Sequence, residues 1–415
     1  MEAGVAKKMI KNSFLVAQIG ARRHYAIPRM LYEAGMLEHF FTDICAVKGW
    51  PQLLRMVPDR LQPTGLRRLL GRVPQGVPSQ RISAFTTEGW RYVMSRAKAH
   101  NFDERAAIDI EYGKRFCNNI LKKGFGQATA TYSFNSAGLE LMQAAKKAGL
   151  KAVMEQTIAP RAVEQAILKE ATERYPAWAE VLPVGPNIDR FSAREEEEWQ
   201  FADVILCGSD FVRDGIVRRS GPLEKCAVVP YGVDNRFRIE RGPREPGPLR
   251  VLTVGQVGLR KGAPIVWEAA RLLGSQAEFR MVGSLALPPG SLSQQPGNLA
   301  LTGVVPRSEI VGHYQWADVF LLPSLCEGSA TVTYEAMLAG LPVVCTPNTG
   351  SVVLDGVSGR IIPPFSAESV AAALQEWIDN PDFFNRCREG VNKQIPQLGL
   401  DAYRGRLSTQ LNNLS

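Results

Sequence analysis

Several things are missing from this 415-residue chain, and each absence removes a class of protein. No apolar run approaches a membrane span, and the opening MEAGVAKKMIKNSFLVAQIG lacks a signal-peptide cleavage pattern. Its Lys-Lys-Met-Ile-Lys reads as a solvated lead-in to a first strand. The seven cysteines (Cys45, Cys117, Cys207, Cys226, Cys326, Cys345, Cys387) are odd in number, scattered and without Cys-x-x-Cys. That argues against a disulfide framework or a zinc site and for a reducing cytoplasm, and no metal site is expected. There is no internal repeat. No nucleic-acid-binding motif accompanies the net charge of +8, so DNA and RNA fit poorly as partners and an anion of some other kind is expected.

What remains is the composition of a globular α/β protein too long for one ordinary core. The clearest break is Glu240-Arg-Gly-Pro-Arg-Glu-Pro-Gly-Pro248, where glycine and proline resist regular structure. It divides the chain into residues 1–240, a second α/β unit over 249–385, and a helical tail over 386–415.

The most informative stretch is Leu321 to Pro342. An apolar run reads as a buried parallel strand, a small-residue loop follows, and a helical pattern from near Ala330 ends at Gly340. Unpaired amides and the positive end of the helix dipole make such a turn an anion site. Glu327 and Glu335 flank it, and a carboxylate can accept two hydroxyl hydrogen bonds from a vicinal diol. Amides for phosphate and carboxylates for hydroxyls together fit a sugar nucleotide. Upstream, Gly255-Gln-Val-Gly258-Leu-Arg-Lys-Gly262 follows a strand but lacks Gly-x-Gly-x-x-Gly spacing. Arg260 and Lys261 beside glycines suit a diphosphate; the bland alternative is two solvated charges at a helix start.

Glu327-Gly-Ser-Ala-Thr-Val-Thr-Tyr-Glu335, with Val254 to Gly262, Ala202 to Arg213 and Pro230-Tyr-Gly-Val-Asp234, resembles the E-x7-E pattern of retaining GT-B glycosyltransferases. The resemblance is strong over about residues 200–365. It implies two Rossmann-like domains facing across a cleft, the first holding an acceptor and the second a UDP- or GDP-sugar, with no other cofactor. Arg260, Lys261 and the amides of Gly328, Ser329, Ala330 and Thr331 would then stabilise the departing diphosphate without a metal. Glu335 would bind ribose, Glu327 the donor sugar, and the bend at Val304 and Val305 the base. The tail helix would return to the first domain. Polysaccharide or glycolipid assembly is the setting that such relatives suggest. The family's usual arginine after the first glycine is Gln256 here, and its histidine near the reacting sugar is Glu155. Two rivals stay open: a GT-B phosphorylase or sugar-nucleotide epimerase, and a non-catalytic partner subunit that binds nucleotide sugar.

In the first half, Ser13 to Gly20 reads as a strand and Pro28 to Ala34 as a helix, which sets Gly20, Arg22, Arg23 and His24 at a cleft edge. Asn135-Ser136 reads as a helix cap. Glu155, ending a strand, is expected to touch the donor sugar, orient an acceptor, stabilise charge at the anomeric carbon, or merely pair with Arg161. Arg194-Glu-Glu-Glu-Glu198 reads as a solvated helical start. Residues 48–74 carry six basic residues against Asp59, interleaved with Trp50, Leu53, Leu54, Leu69 and Leu70. That pattern suits contact with an anionic membrane at the inner face, or a helical excursion with its arginines in water.

Overall fold

A strand that is apolar at every position needs cover on both faces, which in a chain alternating strands with helices means parallel sheets between helical layers. A computed structural model describes residues 12–179, 181–287 and 290–414; the basic lead-in before Asn12 lies outside them. Seven strands form the first sheet: β1 (Phe14–Gln18), β2 (Leu37–Thr42), β3 (Ile82–Ala84), β4 (Ala130–Phe134), β5 (Lys151–Gln156), β6 (Val204–Cys207) and β7 (Cys226–Val228). Their order is β3-β2-β1-β4-β5-β6-β7, every pair parallel. Six more form the second: β8 (Leu249–Val254), β9 (Ala277–Val282), β10 (Leu299–Gly303), β11 (Val319–Leu322), β12 (Val343–Cys345) and β13 (Gly359–Ile361). Their order, β10-β9-β8-β11-β12-β13, is again all parallel.

In both sheets the order reverses beside the first strand, between β1 and β4 and between β8 and β11. Open parallel sheets take ligands in the crevice at such a point, beyond the carboxyl ends of the strands. In the first half this falls on the turn after Gln18 and the loop after Phe134. In the second it falls on Gly255–Gly262 and Pro323–Ala330.

One apolar cluster runs through both halves, from Tyr25, Tyr231 and Phe237 to Tyr314, Tyr334, Leu338 and Tyr403. The Pro/Gly-rich connection has no helix or strand over 240–248, yet it is tied down. Arg241 donates to the carbonyls of Tyr314, Ala317 and Ala339. The last helix, Leu400–Asn412, lies against the first half. There Arg406 donates to the carbonyls of Pro230 and Tyr231, and Arg404 pairs with Glu33 at 2.8 Å.

Two sequence expectations fail. The acidic run belongs to the C-terminal part of a helix at Pro186–Phe201, not to a helix start. Phe191, Ser192, Arg194, Glu195, Glu198 and Trp199 are all buried, a spacing that marks one helical face. Of the four glutamates in the run, Glu196 and Glu197 lie on the other face and meet solvent. The cap at Asn135-Ser136 fails too. The next helix begins at Leu139, and its preceding amides, Ser136 and Gly138, are held by the Glu198 carboxylate from that distant helix. Over 48–74 the chain forms two short 3-10 turns and one helix, Thr64–Leu70.

Candidate functional site

In the second half, β8 ends in a glycine turn because Lys261 must cross back over it. A Cβ on Gly255 would stand 3.2 Å from the Lys261 Cε. Gly262, at φ +75, lies so close to the Pro323 carbonyl that a Cβ would stand 2.2 Å from its oxygen, so the two strand-end turns interlock. Lys261 and Arg260 consequently meet the opposite loop. Lys261 Nζ is 2.7 Å and Arg260 Nη1 3.1 Å from the same Glu327 oxygen, and Arg260 also donates to the Cys326 carbonyl at 2.9 Å. Three of the expected residues are thus in contact, although they lie 66 and 67 positions apart.

The helix following that loop spans Thr331–Leu338, with Ala330 as its cap residue. Of the four amides expected to face an anion, one is not free: Ala330 N–H donates to the Thr349 carbonyl at 3.1 Å. That is a correction, and its cause is the neighbouring 3-10 turn Pro347–Thr349 packing against the loop. The Ser329 hydroxyl lies 2.7 Å from the Tyr334 hydroxyl. Glu335 accepts a hydrogen bond from Tyr314 at 2.9 Å, and burial pushes its carboxyl above the ordinary range. Gly258 is in extended backbone at the start of the basic turn. Val304 is 73% exposed beside half-buried Val305, so this bend is open to solvent.

The first half abuts this loop directly. A Cβ on Gly328 would stand 2.0 Å from the Thr157 carbonyl oxygen, which leaves only glycine compatible with the contact. Ala159 N–H donates to the Glu327 carbonyl at 3.3 Å, and the Ser209 hydroxyl donates to that of Gly328.

After β1 the chain makes an unusual turn. Arg23, His24 and Tyr25 all have positive φ, at 45°, 50° and 61°. Consecutive left-handed residues cost roughly 1–2 kcal/mol each, so contacts must hold them. Gly20 N–H donates to Asp43 at 3.0 Å, and Gln18 donates to the carbonyls of Gly20 and Arg22. Arg23 turns inward to Glu155, lies over the Tyr231 ring at 4.0 Å, and donates to the Tyr403 hydroxyl at 2.7 Å. Glu155 is 1% exposed, with Arg23 and Tyr231 on one oxygen and Tyr132 on the other. Its expected face toward a reacting sugar is therefore closed, and its pairing with Arg161 is replaced: Arg161 meets Glu164 at 3.1 Å. The arginine and two tyrosine hydroxyls on its two oxygens offset the cost of taking this carboxylate out of water. His24 meets Arg307 across the cleft, and burial and that neighbouring charge push its imidazole below the usual range.

Sequence reasoning missed the support beneath these loops. Glu195, 2% exposed, accepts from Asn135 Nδ2 (2.9 Å), Gln156 Nε2 (2.8 Å) and the Arg161 amide (2.8 Å). Those donors come from the ends of β4 and β5 and the start of the following helix. Glu198 is 0% exposed, and burial pushes its carboxyl up to about 8 against the two amides that favour its charged form. The signal was present as the spacing of Phe191, Arg194, Glu195 and Glu198 on one face; the density of charge concealed it.

Two parallel Rossmann-like sheets facing across a cleft define the GT-B architecture. Residues 248–380 match the family model described as Glycosyl transferases group 1. Among curated proteins the chain is 28% identical over 236 residues to a putative colanic acid biosynthesis glycosyltransferase, WcaL, of Salmonella typhimurium, covering 52% of this chain and 58% of that one. It is 32% identical over 216 residues to the amylovoran biosynthesis glycosyltransferase AmsK of Erwinia amylovora, covering 46% and 52%. The matched region thus spans about half the length of these relatives. In three dimensions, HepE of Anabaena in complex with UDP-glucose aligns over 97% of this chain and 100% of its own, with a TM-score of 0.61 at 14% identity. At that identity the likeness is one of fold.

Proposed function

We propose that this protein is a retaining glycosyltransferase that moves a sugar from a nucleotide-sugar donor to an acceptor hydroxyl in polysaccharide or glycolipid assembly. The observation that carries the reading is the convergence of Lys261 and Arg260 on Glu327 beside a helix N-terminus, with Glu335 eight residues further on. Two cations sharing one carboxylate oxygen are poised for exchange: a diphosphate entering the turn competes for them and releases Glu327 to a sugar hydroxyl. Glu335, oriented by the buried Tyr314 hydroxyl, would hold the ribose, and Val304 and Val305 the base. The bond from the anomeric carbon to the diphosphate breaks with its electron pair leaving on the phosphate oxygen. Arg260, Lys261 and the amides of Gly328, Ser329 and Thr331 stabilise that charge, which is why this chemistry needs no metal. The acceptor oxygen bonds to the same face of the anomeric carbon, and its proton passes to the departing oxygen. Support for a nucleotide donor comes from HepE, solved with UDP-glucose, and for the setting from WcaL and AmsK.

Thermal-shift screening of UDP- and GDP-sugars tests this. A specific donor at a hundred times its Kd stabilises the fold by about 2.7 kcal/mol, and the product's anomeric configuration, read by NMR, should match the donor's. No stabilisation by any nucleotide sugar would overturn the reading.

The same proposal includes the inner face of a membrane as a partner. Among the described residues no helix is long and apolar enough to cross a bilayer. Leu53, Met56 and Leu61 stand 70%, 85% and 65% exposed among Arg55, Arg60, Arg67 and Arg68, where each cation near an anionic surface adds about 1 kcal/mol. Flotation should recover the protein with anionic but not neutral liposomes, and Leu53→Ser with Met56→Ser should abolish it; equal recovery from both would end the idea.

A further inference from the structure

Arg22 and Arg23 are adjacent in sequence and opposite in environment. The left-handed turn sends Arg23 into the protein against Glu155 and leaves Arg22 exposed at the cleft. Among the described residues Arg22 has no carboxylate within ion-pair distance. Its guanidinium is fixed instead by neutral groups: Nη1 donates to the Thr157 hydroxyl at 2.9 Å, and the group lies 5.5 Å from the centre of the Phe134 ring. The Thr157 hydroxyl donates to Asn135 Oδ1 at 2.9 Å, and Asn135 Nδ2 donates to buried Glu195 at 2.9 Å. An exposed cation is thereby anchored by three successive hydrogen bonds, through two side chains, to a carboxylate inside the domain. Thr157 is also the residue whose carbonyl touches Gly328, next to Glu327. A guanidinium held this rigidly, unneutralised and one residue from the donor loop, is built to receive an anion.

We propose that Arg22 is an oxyanion-binding residue of the cleft, held by Glu195 as a positioning residue, and that its ligand is a phosphate or carboxylate group of a reactant. This rests on the transferase reading and adds a first-half contact to it. Two sources share that chemistry, the donor's diphosphate and an anionic group on the acceptor, and the experiment separates them.

Calorimetric titration with UDP and steady-state turnover of the donor found by screening should be compared in the wild type, Arg22→Gln, Arg22→Lys, Glu195→Gln and, as control, Glu197→Gln on the exposed face of the same helix. If the donor's phosphates are the ligand, Arg22→Gln weakens UDP binding at least tenfold. If the acceptor's anion is, UDP binding stays within twofold while the KM of an anionic acceptor rises at least tenfold and that of an uncharged one does not. Arg22→Lys should recover only part of either loss, because an ammonium lacks the fork. Glu195→Gln should reproduce the same pattern more weakly and raise amide hydrogen exchange in 156–161, with 249–282 unchanged. Unaltered UDP affinity together with unaltered acceptor KM in Arg22→Gln overturns the proposal. Failure of the wild type to bind any nucleotide would instead sink the transferase reading, while the exchange comparison still decides whether Glu195 holds the strand ends.

Discussion

Each half of the molecule places an arginine from a strand-end turn against a glutamate from another strand end, and the two pairs serve opposite ends. In the second half, Arg260 and Lys261 share one oxygen of Glu327, with side chains 30%, 13% and 12% exposed. In the first half, Arg23 meets Glu155 with side chains 19% and 2% exposed, and three tyrosines close around them. The open pair has two cations for one acid, so a net positive charge is left for a ligand to neutralise. The sealed pair is balanced and saturated with hydrogen bonds, so it has nothing to offer a ligand. It holds the strained turn in place. On the proposed function, identical chemistry serves as a binding site in one half and as a fastening in the other, according to stoichiometry and burial.

Breaking each pair should separate these roles. The largest effect is expected from Glu155→Ala, which strands Arg23 in the interior. Removing one partner of a buried pair typically costs about 3–5 kcal/mol, to be read as a lower urea midpoint. A midpoint like the wild type's would show that Glu155 does not fasten the turn. Lys261→Ala should do the reverse. Turnover should fall at least 100-fold, about 3 kcal/mol in the barrier, with the urea midpoint close to the wild type's because Arg260 still pairs with Glu327. Near-normal turnover would remove Lys261 from the mechanism, and a large loss of stability would erase the contrast between the two pairs.

How much of this could be read beforehand differs between the halves for the same reason. The strand, small-residue turn and helix at 249–273 and 319–340 are local: each is spelled out within about twenty-five residues, and their chemistry follows from residue types at fixed offsets. Arg23 and Glu155 are 132 positions apart, and Glu195 reaches Asn135 across 60. No local pattern distinguishes a glutamate bound for the interior from one bound for water. The run Arg194 to Glu198 looked solvated because its charges are adjacent in sequence; only the helix sorts them onto two faces.

The sequence by itself therefore determined the two parallel sheets, the break between them and the group of cations and carboxylates in the second half, since buried strands and glycine turns announce themselves in composition and spacing. Tertiary structure alone decided which of two neighbouring arginines faces the cleft, which carboxylates are sealed, and which helix-tip amides remain free. Those outcomes depend on desolvation and on partners that only the folded chain brings within reach.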